Sequence, residues 1–172
     1  MSENAPGKGV GKSMIFAMWI LVIAGLTFFF NQWIQERNNP NQYIATNVQD
    51  GVQEVVLQRN RAGHYVANGE INGQPVVFLV DTGATDVNIP QRVANRLKLE
   101  KGRPQYATTA NGTITVYDTT LSSIGIGELR LQNISASINP HMYTEEILLG
   151  MSFLQHLELN QKGDALTLSL PL

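Results

Sequence analysis

The stretch FLVDTGATDVNIP at residues 78–90 sets Asp81 at the end of an apolar run and two residues ahead of Gly83. Such a run is typical of a strand buried on both faces, so the sequence predicts that Asp81 emerges at its end inside the protein. A lone buried carboxylate is costly, and chains retain one where it is paired, hydrogen-bonded or functional. Thr82 supplies a hydroxyl able to bond backbone opposite it. Gly83 permits a tight turn, and backbone N–H groups there can hold the carboxylate oxygens. The chemistry open to such a group is proton transfer to and from water.

Other chemistries find less support. The chain has no cysteine, which excludes a thiol nucleophile, disulfides and thiolate zinc sites. His64, His141 and His156 are too scattered to argue a metal site, and no serine sits in a Gly-x-Ser-x-Gly elbow. GKGVGKS at residues 7–13 resembles a phosphate-binding loop, but the pattern needs a glycine where Pro6 stands, and no strand precedes it. A net charge of −2 argues against nucleic acid as a partner. The basic cluster Arg92, Arg96, Lys98, Lys101 and Arg103 reads as a solvated helix face and the loop after it. Asn133-Ile134-Ser135 matches a glycosylation sequon and is read as chance.

The elements that must position Asp81 follow from composition and periodicity. With 43% hydrophobic and 15% charged residues, 172 residues suffice for one domain with a core plus an appendage. The appendage is Met14 to Phe30, MIFAMWILVIAGLTFFF, which has no charge and at 1.5 Å per residue reaches about 25 Å, close to a bilayer's hydrocarbon core. Trp33 and Ile34 extend it, giving a transmembrane segment over residues 14–34. A cleaved signal peptide would have a shorter apolar region ending in small residues, whereas FFFNQWIQER follows here, so a permanent signal anchor is expected. Lys8 and Lys12 precede the span and Glu36 and Arg37 follow it. This bias puts residues 1–13 in the cytoplasm and the rest on the periplasmic or extracytoplasmic side of an inner cell membrane crossed once.

Residues 35–53 read as a linker containing NNPNQ, and 54–172 as the folded domain. Within it VVLQ, HYVANGEI and PVVFLV are β-rich runs, and Asn72-Gly73 between the last two is a strong hairpin signal. ITVYDTTL, IGIGELRL, ISASI, EEILL and ALTLSL are further expected strands. Two short helices suggest themselves, RVANRLKL after Pro90 and MSFLQHL after Gly150. The domain is therefore mostly β. Asp86 is read either as a subsite acid or as the cap of the helix near Pro90, with the capping role preferred.

Three motifs in order carry a family resemblance. Val80-Asp81-Thr82-Gly83-Ala84 resembles the active-site loop of aspartic proteases. ILLGMSFL, with Leu148, Leu149 and Gly150, resembles the family's second hallmark, an apolar pair and glycine before a short helix that packs behind that loop. TTANGTITV between them puts Asn111-Gly112 at a hairpin tip, as in the flap that closes over substrate, with Thr109, Ala110, Asn111, Gly112 and Thr113 as its residues. Singly, ILLG is an ordinary strand end and Asn-Gly an ordinary hairpin; together, in this order, they point to the family.

The resemblance implies a single-lobe, retropepsin-like β-barrel with two short helices, preceded by one transmembrane helix. Only one Asp-Thr-Gly is present, as in the retroviral-type class, where two identical chains each give one aspartate about a twofold axis. A homodimer is implied, with Thr82 bonding across its axis and Gly83 contacting substrate through its backbone. Two close carboxylates cannot both ionise easily and share a proton. One activates water and the other hydrogen-bonds the scissile carbonyl, with no metal and no cofactor. The implied function is a membrane-anchored aspartic endopeptidase acting on protein or peptide substrates. The alternative is a non-catalytic, dimeric, membrane-tethered peptide-binding or interaction module of the same fold.

Overall fold

The computed structural model describes residues 8–109 and 112–171, and the chain divides into two compact units after Arg37. In the first, helix α1 (Lys8–Asn38) is apolar all round over most of its length. Among the described residues it is the helix long and apolar enough to cross a membrane, with a mean hydropathy of 2.3 over an 18-residue stretch within Gly11–Asn38 and no part of that stretch buried. Thirty-one residues reach about 46 Å, longer than a bilayer's hydrocarbon core. Near the C-terminal end the Arg37 guanidinium lies 4.0 Å from the Trp33 ring centroid, a cation stacked on an amphipathic aromatic as membrane interfaces favour.

The second unit is β-rich. A four-stranded sheet has the order β1 (Thr46–Gln49), β2 (Val52–Gln58), β11 (Ala165–Pro171), β10 (Glu158–Lys162). A seven-stranded sheet has the order β3 (Val66–Ile71), β4 (Gln74–Val80), β9 (Ile147–Leu149), β5 (Val87–Pro90), β8 (Leu129–Asn139), β7 (Gly112–Ile126), β6 (Pro104–Thr109). β3 also pairs with β7, through Glu70 with Gly125 and Ile71 with Ile124, and so closes part of this sheet on itself. β4 runs parallel to β9, and β5 parallel to β8. The two expected short helices are α2 (Gln91–Arg96) and α3 (Met151–Leu154). Phe78, Leu121, Ile138, Ile147, Leu149 and Phe153 are among the fully buried side chains around which these elements close.

Three local expectations change. The stretch 38–53 is not a free linker: Asn41 is buried, its side chain donates to the carbonyls of Gln58 (2.9 Å) and Val66 (2.7 Å), and its Oδ1 accepts from the Gln58 N–H (2.7 Å). β1 follows, joined to β2 by Asp50-Gly51, both at positive φ, with the same two-residue geometry as Asn72-Gly73 between β3 and β4. Second, residues 124–131 are not one strand but the end of β7, a turn at Gly127-Glu128 and the start of β8. Ser122-Ser123 supplies no break, so β7 runs on from the hairpin to that turn. Third, β4 alternates where burial on both faces was expected: Val76 and Phe78 are buried, Val77 and Leu79 half-buried. One face packs on the core, and the other is only partly covered.

Candidate active site

Asp81 follows the last residue of β4, where parallel pairing with β9 fixes the strand's exit: Phe78 lies opposite Ile147, Leu79 opposite Leu148 and Val80 opposite Leu149. The Asp81 N–H continues this ladder by donating to the Leu149 carbonyl at 3.1 Å. The chain then turns. The Gly83 N–H donates to Asp81 Oδ1 at 2.9 Å, and the Ala84 N–H donates to the Asp81 carbonyl at 3.2 Å. One carboxylate oxygen is thus oriented by the loop's own backbone, as the Asp-Thr-Gly spacing requires.

The side chain is less enclosed than the apolar run suggests. Asp81 is half-buried, Thr82 and Gly83 are exposed, and among the described residues the Thr82 hydroxyl has no partner within the chain. The carboxylate stands at the edge of a single chain, because the uncovered face of β4 leads to it.

Behind this loop lies the segment starting at Leu148. Leu149 is buried, Leu148 half-buried and paired with Leu79 and Asn88, and Gly150 is buried at the start of α3. A methyl at Gly150 would meet the Asp86 carbonyl, and the Ala84 carbonyl oxygen at 2.7 Å, so only glycine lets the two segments approach this closely. Two backbone bonds exploit the approach: Met151 N–H to the Ala84 carbonyl (2.8 Å) and Ser152 N–H to the Thr85 carbonyl (2.9 Å). Ser152 also contributes its hydroxyl, which donates to the Ser135 carbonyl (2.8 Å) and accepts from the Val87 N–H (2.9 Å). Nothing in the sequence singles out this serine, because its partners lie 17 and 65 residues away.

β6 and β7 form a long antiparallel hairpin, paired from Pro104 with Tyr117 to Thr109 with Gly112. Thr109 Oγ1 donates to the Gly112 carbonyl at 2.8 Å across its end. Thr109, Gly112 and Thr113 are exposed there, while Ala110 and Asn111 lie outside the described residues. A polar depression lined by Lys98, Lys101, Gln105, Asp118, Thr119 and Ser135, among others, sits by the hairpin's base and includes no residue of the Asp81 loop.

Of the charged groups read from the sequence, one loses its expected role and another keeps it. Asp86 does not cap α2: the cap is Pro90, without a side-chain cap bond, four residues further on. Arg92 and Arg96 both pair with Glu145, the latter at 3.3 Å, and all three are well exposed, so this part of the basic cluster is a solvated helix face.

Residues 67–156 match the model of a family described as "gag-polyprotein putative aspartyl protease". An uncharacterized protein from the cobV 5' region of a Sinorhizobium species is 29% identical over 172 residues, covering 93% of this chain and 72% of that one. An uncharacterized protein of Rickettsia prowazekii is 31% identical over 148 residues, covering 81% of this chain and 63% of that one. The crystal structure of a retropepsin-like aspartic protease from Rickettsia conorii shares the fold with a TM-score of 0.56 at 28% identity, over 74% of this chain and 95% of that one. The family model spans more than half of the sequence and includes both the Asp81 loop and Gly150, and the chain belongs to the retropepsin-like aspartyl protease family.

Proposed function

We propose that the protein is a membrane-anchored aspartic endopeptidase whose active site is built from Asp81 of two chains. The observation that carries this is the Asp81 loop itself. Its carboxylate is oriented by the Gly83 N–H, yet remains half-exposed beside an exposed, unpartnered Thr82. A second copy about a twofold axis would cover that face, bring the two carboxylates together and give each Thr82 hydroxyl a backbone partner.

The reaction follows from the pair. One ionised Asp81 takes a proton from a water molecule as the water oxygen bonds to the scissile carbonyl carbon. The second Asp81, protonated, donates a hydrogen bond to the carbonyl oxygen and stabilises the negative charge that develops there. Collapse of the tetrahedral species breaks the C–N bond, and the amine leaves with a proton from the dyad. The β6–β7 hairpin, with Thr109 to Thr113 at its end, closes over an extended peptide, and Gly83 offers its backbone to that peptide. α1 holds the enzyme in the cell membrane, and Lys8 and Lys12 keep the N-terminus cytoplasmic, so that substrates are met on the extracytoplasmic side.

The test is cleavage of a denatured protein mixture, with the new termini sequenced. Wild-type protein generates termini flanked by apolar residues. Asp81→Asn, nearly isosteric but unable to act as a base, generates none while remaining a folded dimer. If Asp81→Asn cleaves as well as wild type, Asp81 is not the catalytic group; if wild type generates no new termini, the chain is a binding module.

A further inference from the structure

We propose that Ser152 is a positioning residue for the Asp81 loop, an inference that rests on Asp81 being the catalytic base. Besides the β5–β8 ladder that begins at Val87, four hydrogen bonds lace the segment from Asp81 to Val87 to its surroundings. Three join backbone to backbone: Asp81 N–H to Leu149, Met151 N–H to Ala84, and Ser152 N–H to Thr85. The fourth, from the Val87 N–H to Ser152 Oγ, is the one in which a side chain takes part.

The direction of the Ser152 hydroxyl is informative. A serine in the first turn of a helix ordinarily caps it or bonds back to its own turn. α3 is only four residues long, its cap is Gly150, and Ser152 does neither. Its hydroxyl instead donates to Ser135 on β8 and accepts from Val87 on β5. β8 pairs with β7 at this level, Ser135 lying opposite Thr120, and β7 continues into the hairpin that ends at Gly112. A single oxygen thus adds, to the β5–β8 ladder that begins at Val87, a second tie between the end of the Asp81 loop and the strand next to the hairpin's own. Both roles are needed at once, and only a hydroxyl supplies a donor and an acceptor on one atom of this size. Val87 is fully buried, so its N–H has no ready substitute partner when the hydroxyl is removed.

The consequence is kinetic. Without the hydroxyl, the loop's end loses its tie through Ser152 and is held to β8 by the β5 ladder alone, while Asp81 keeps its own bonds to Leu149 and Gly83. Substrate still binds along the hairpin, but the carboxylate is held less closely to the geometry of attack, which governs turnover more than binding.

The experiment uses the full chain in detergent, with a fluorescein-labelled denatured protein as substrate and rates normalised to folded dimer by sedimentation. Ser152→Ala is expected to lower kcat about tenfold with KM within about twofold, and Ser152→Thr, which restores the hydroxyl, to recover most of the loss. The proposal is overturned if Ser152→Ala keeps wild-type kcat per folded dimer, if kcat and KM change together, or if threonine fails to rescue. Wild type and Asp81→Asn are run alongside. Equal rates for those two would overturn the catalytic reading itself, whereas a normal difference between them with an unaffected Ser152→Ala overturns only the role of Ser152.

Discussion

Replacing Gly150 by alanine tests how closely the Asp81 loop depends on the segment behind it. The backbone there is extended (φ −90°, ψ −172°), a conformation any residue adopts, so glycine is required for space and not for torsion. An added Cβ would fall onto the Asp86 carbonyl and lie 2.7 Å from the Ala84 oxygen, whereas ordinary contact begins near 3.4 Å. Both obstacles are backbone within the Asp81 loop, and neither can rotate away. The loop and the segment from Leu149 to Ser152 must therefore separate by on the order of 1 Å, which strains the Met151 to Ala84 bond and moves the chain five residues or fewer from Asp81. Overpacking of this kind costs about 1–3 kcal/mol, a fall in melting temperature of roughly 3–10 °C for a domain this size. A displacement of about 1 Å at a reacting group costs about a hundredfold in rate. Gly150→Ala is thus expected to remain folded and to lose about two orders of magnitude in kcat, read from parallel thermal melts and initial rates per dimer. Wild-type turnover in a variant destabilised as expected would refute the coupling of loop to segment. An unchanged melting temperature would refute the close approach itself.

The remaining predictions concern assembly, the membrane and the segment after α1. Asp81→Asn chains mixed into wild type should inhibit dominantly, because each mixed dimer carries one competent carboxylate; activity falling only in proportion to the wild-type fraction argues for independent sites. Freed of residues 1–37, the β-rich unit should lose specific activity on dilution as dimers dissociate, and constant activity down to concentrations where sedimentation finds only monomer would place a second acid within the same chain. A reporter fused to the C-terminal end should be active only outside the cytoplasm, and cytoplasmic activity would invert the topology. Asn41→Ala removes three part-buried side-chain hydrogen bonds to backbone, at about 1 kcal/mol each, so the melting temperature should fall by roughly 10 °C; a change under about 2 °C would make Asn41 incidental.

What could be read from the sequence divides along physical lines. Asp81-Thr82-Gly83 and Leu149-Gly150 are legible because each is a local pattern, a carboxylate at a strand end and a glycine where backbones meet; of the β6–β7 hairpin only the β7 side is, because β6 is almost wholly exposed and lacks apolar alternation. Asn72-Gly73 is legible as a hairpin between two β-rich runs, whereas Asp50-Gly51, with the same torsions, follows a strand that is mostly exposed and lacks apolar alternation. β10 escaped for the same reason, all five of its residues being exposed. Ser152 and Asn41 were not legible at all. Their roles are set by backbone groups brought near only by the folded topology, and a serine or asparagine acquires no distinctive neighbours in sequence by bonding to distant carbonyls. The burial of Asp81 was overestimated because an apolar run shows that a strand is suited to being covered and not what covers it.

That overestimate bears on the function. A strand such as β4, apolar on both faces but packed on only one, leaves Val77 and Leu79 half-buried on the way to Asp81. Such a surface is stable in a lone chain only as a compromise, since apolar area left in water forgoes burial free energy at about 25 cal/mol per Å². If a second chain completes the cover, the same contact that removes this area from water also brings the second carboxylate, so folding energy and catalytic competence are gained in one step. The anchor then has a thermodynamic role besides location. Two chains confined to one bilayer by α1 share a plane and an orientation, which raises the concentration each presents to the other without any additional contact. An interface too weak to hold in dilute solution suffices in the membrane, and activity becomes a function of how densely the protein populates it. This account requires the anchored enzyme to remain active at amounts where the soluble unit is silent. Equal specific activity of the two forms across a hundredfold dilution would show that the interface needs no such help.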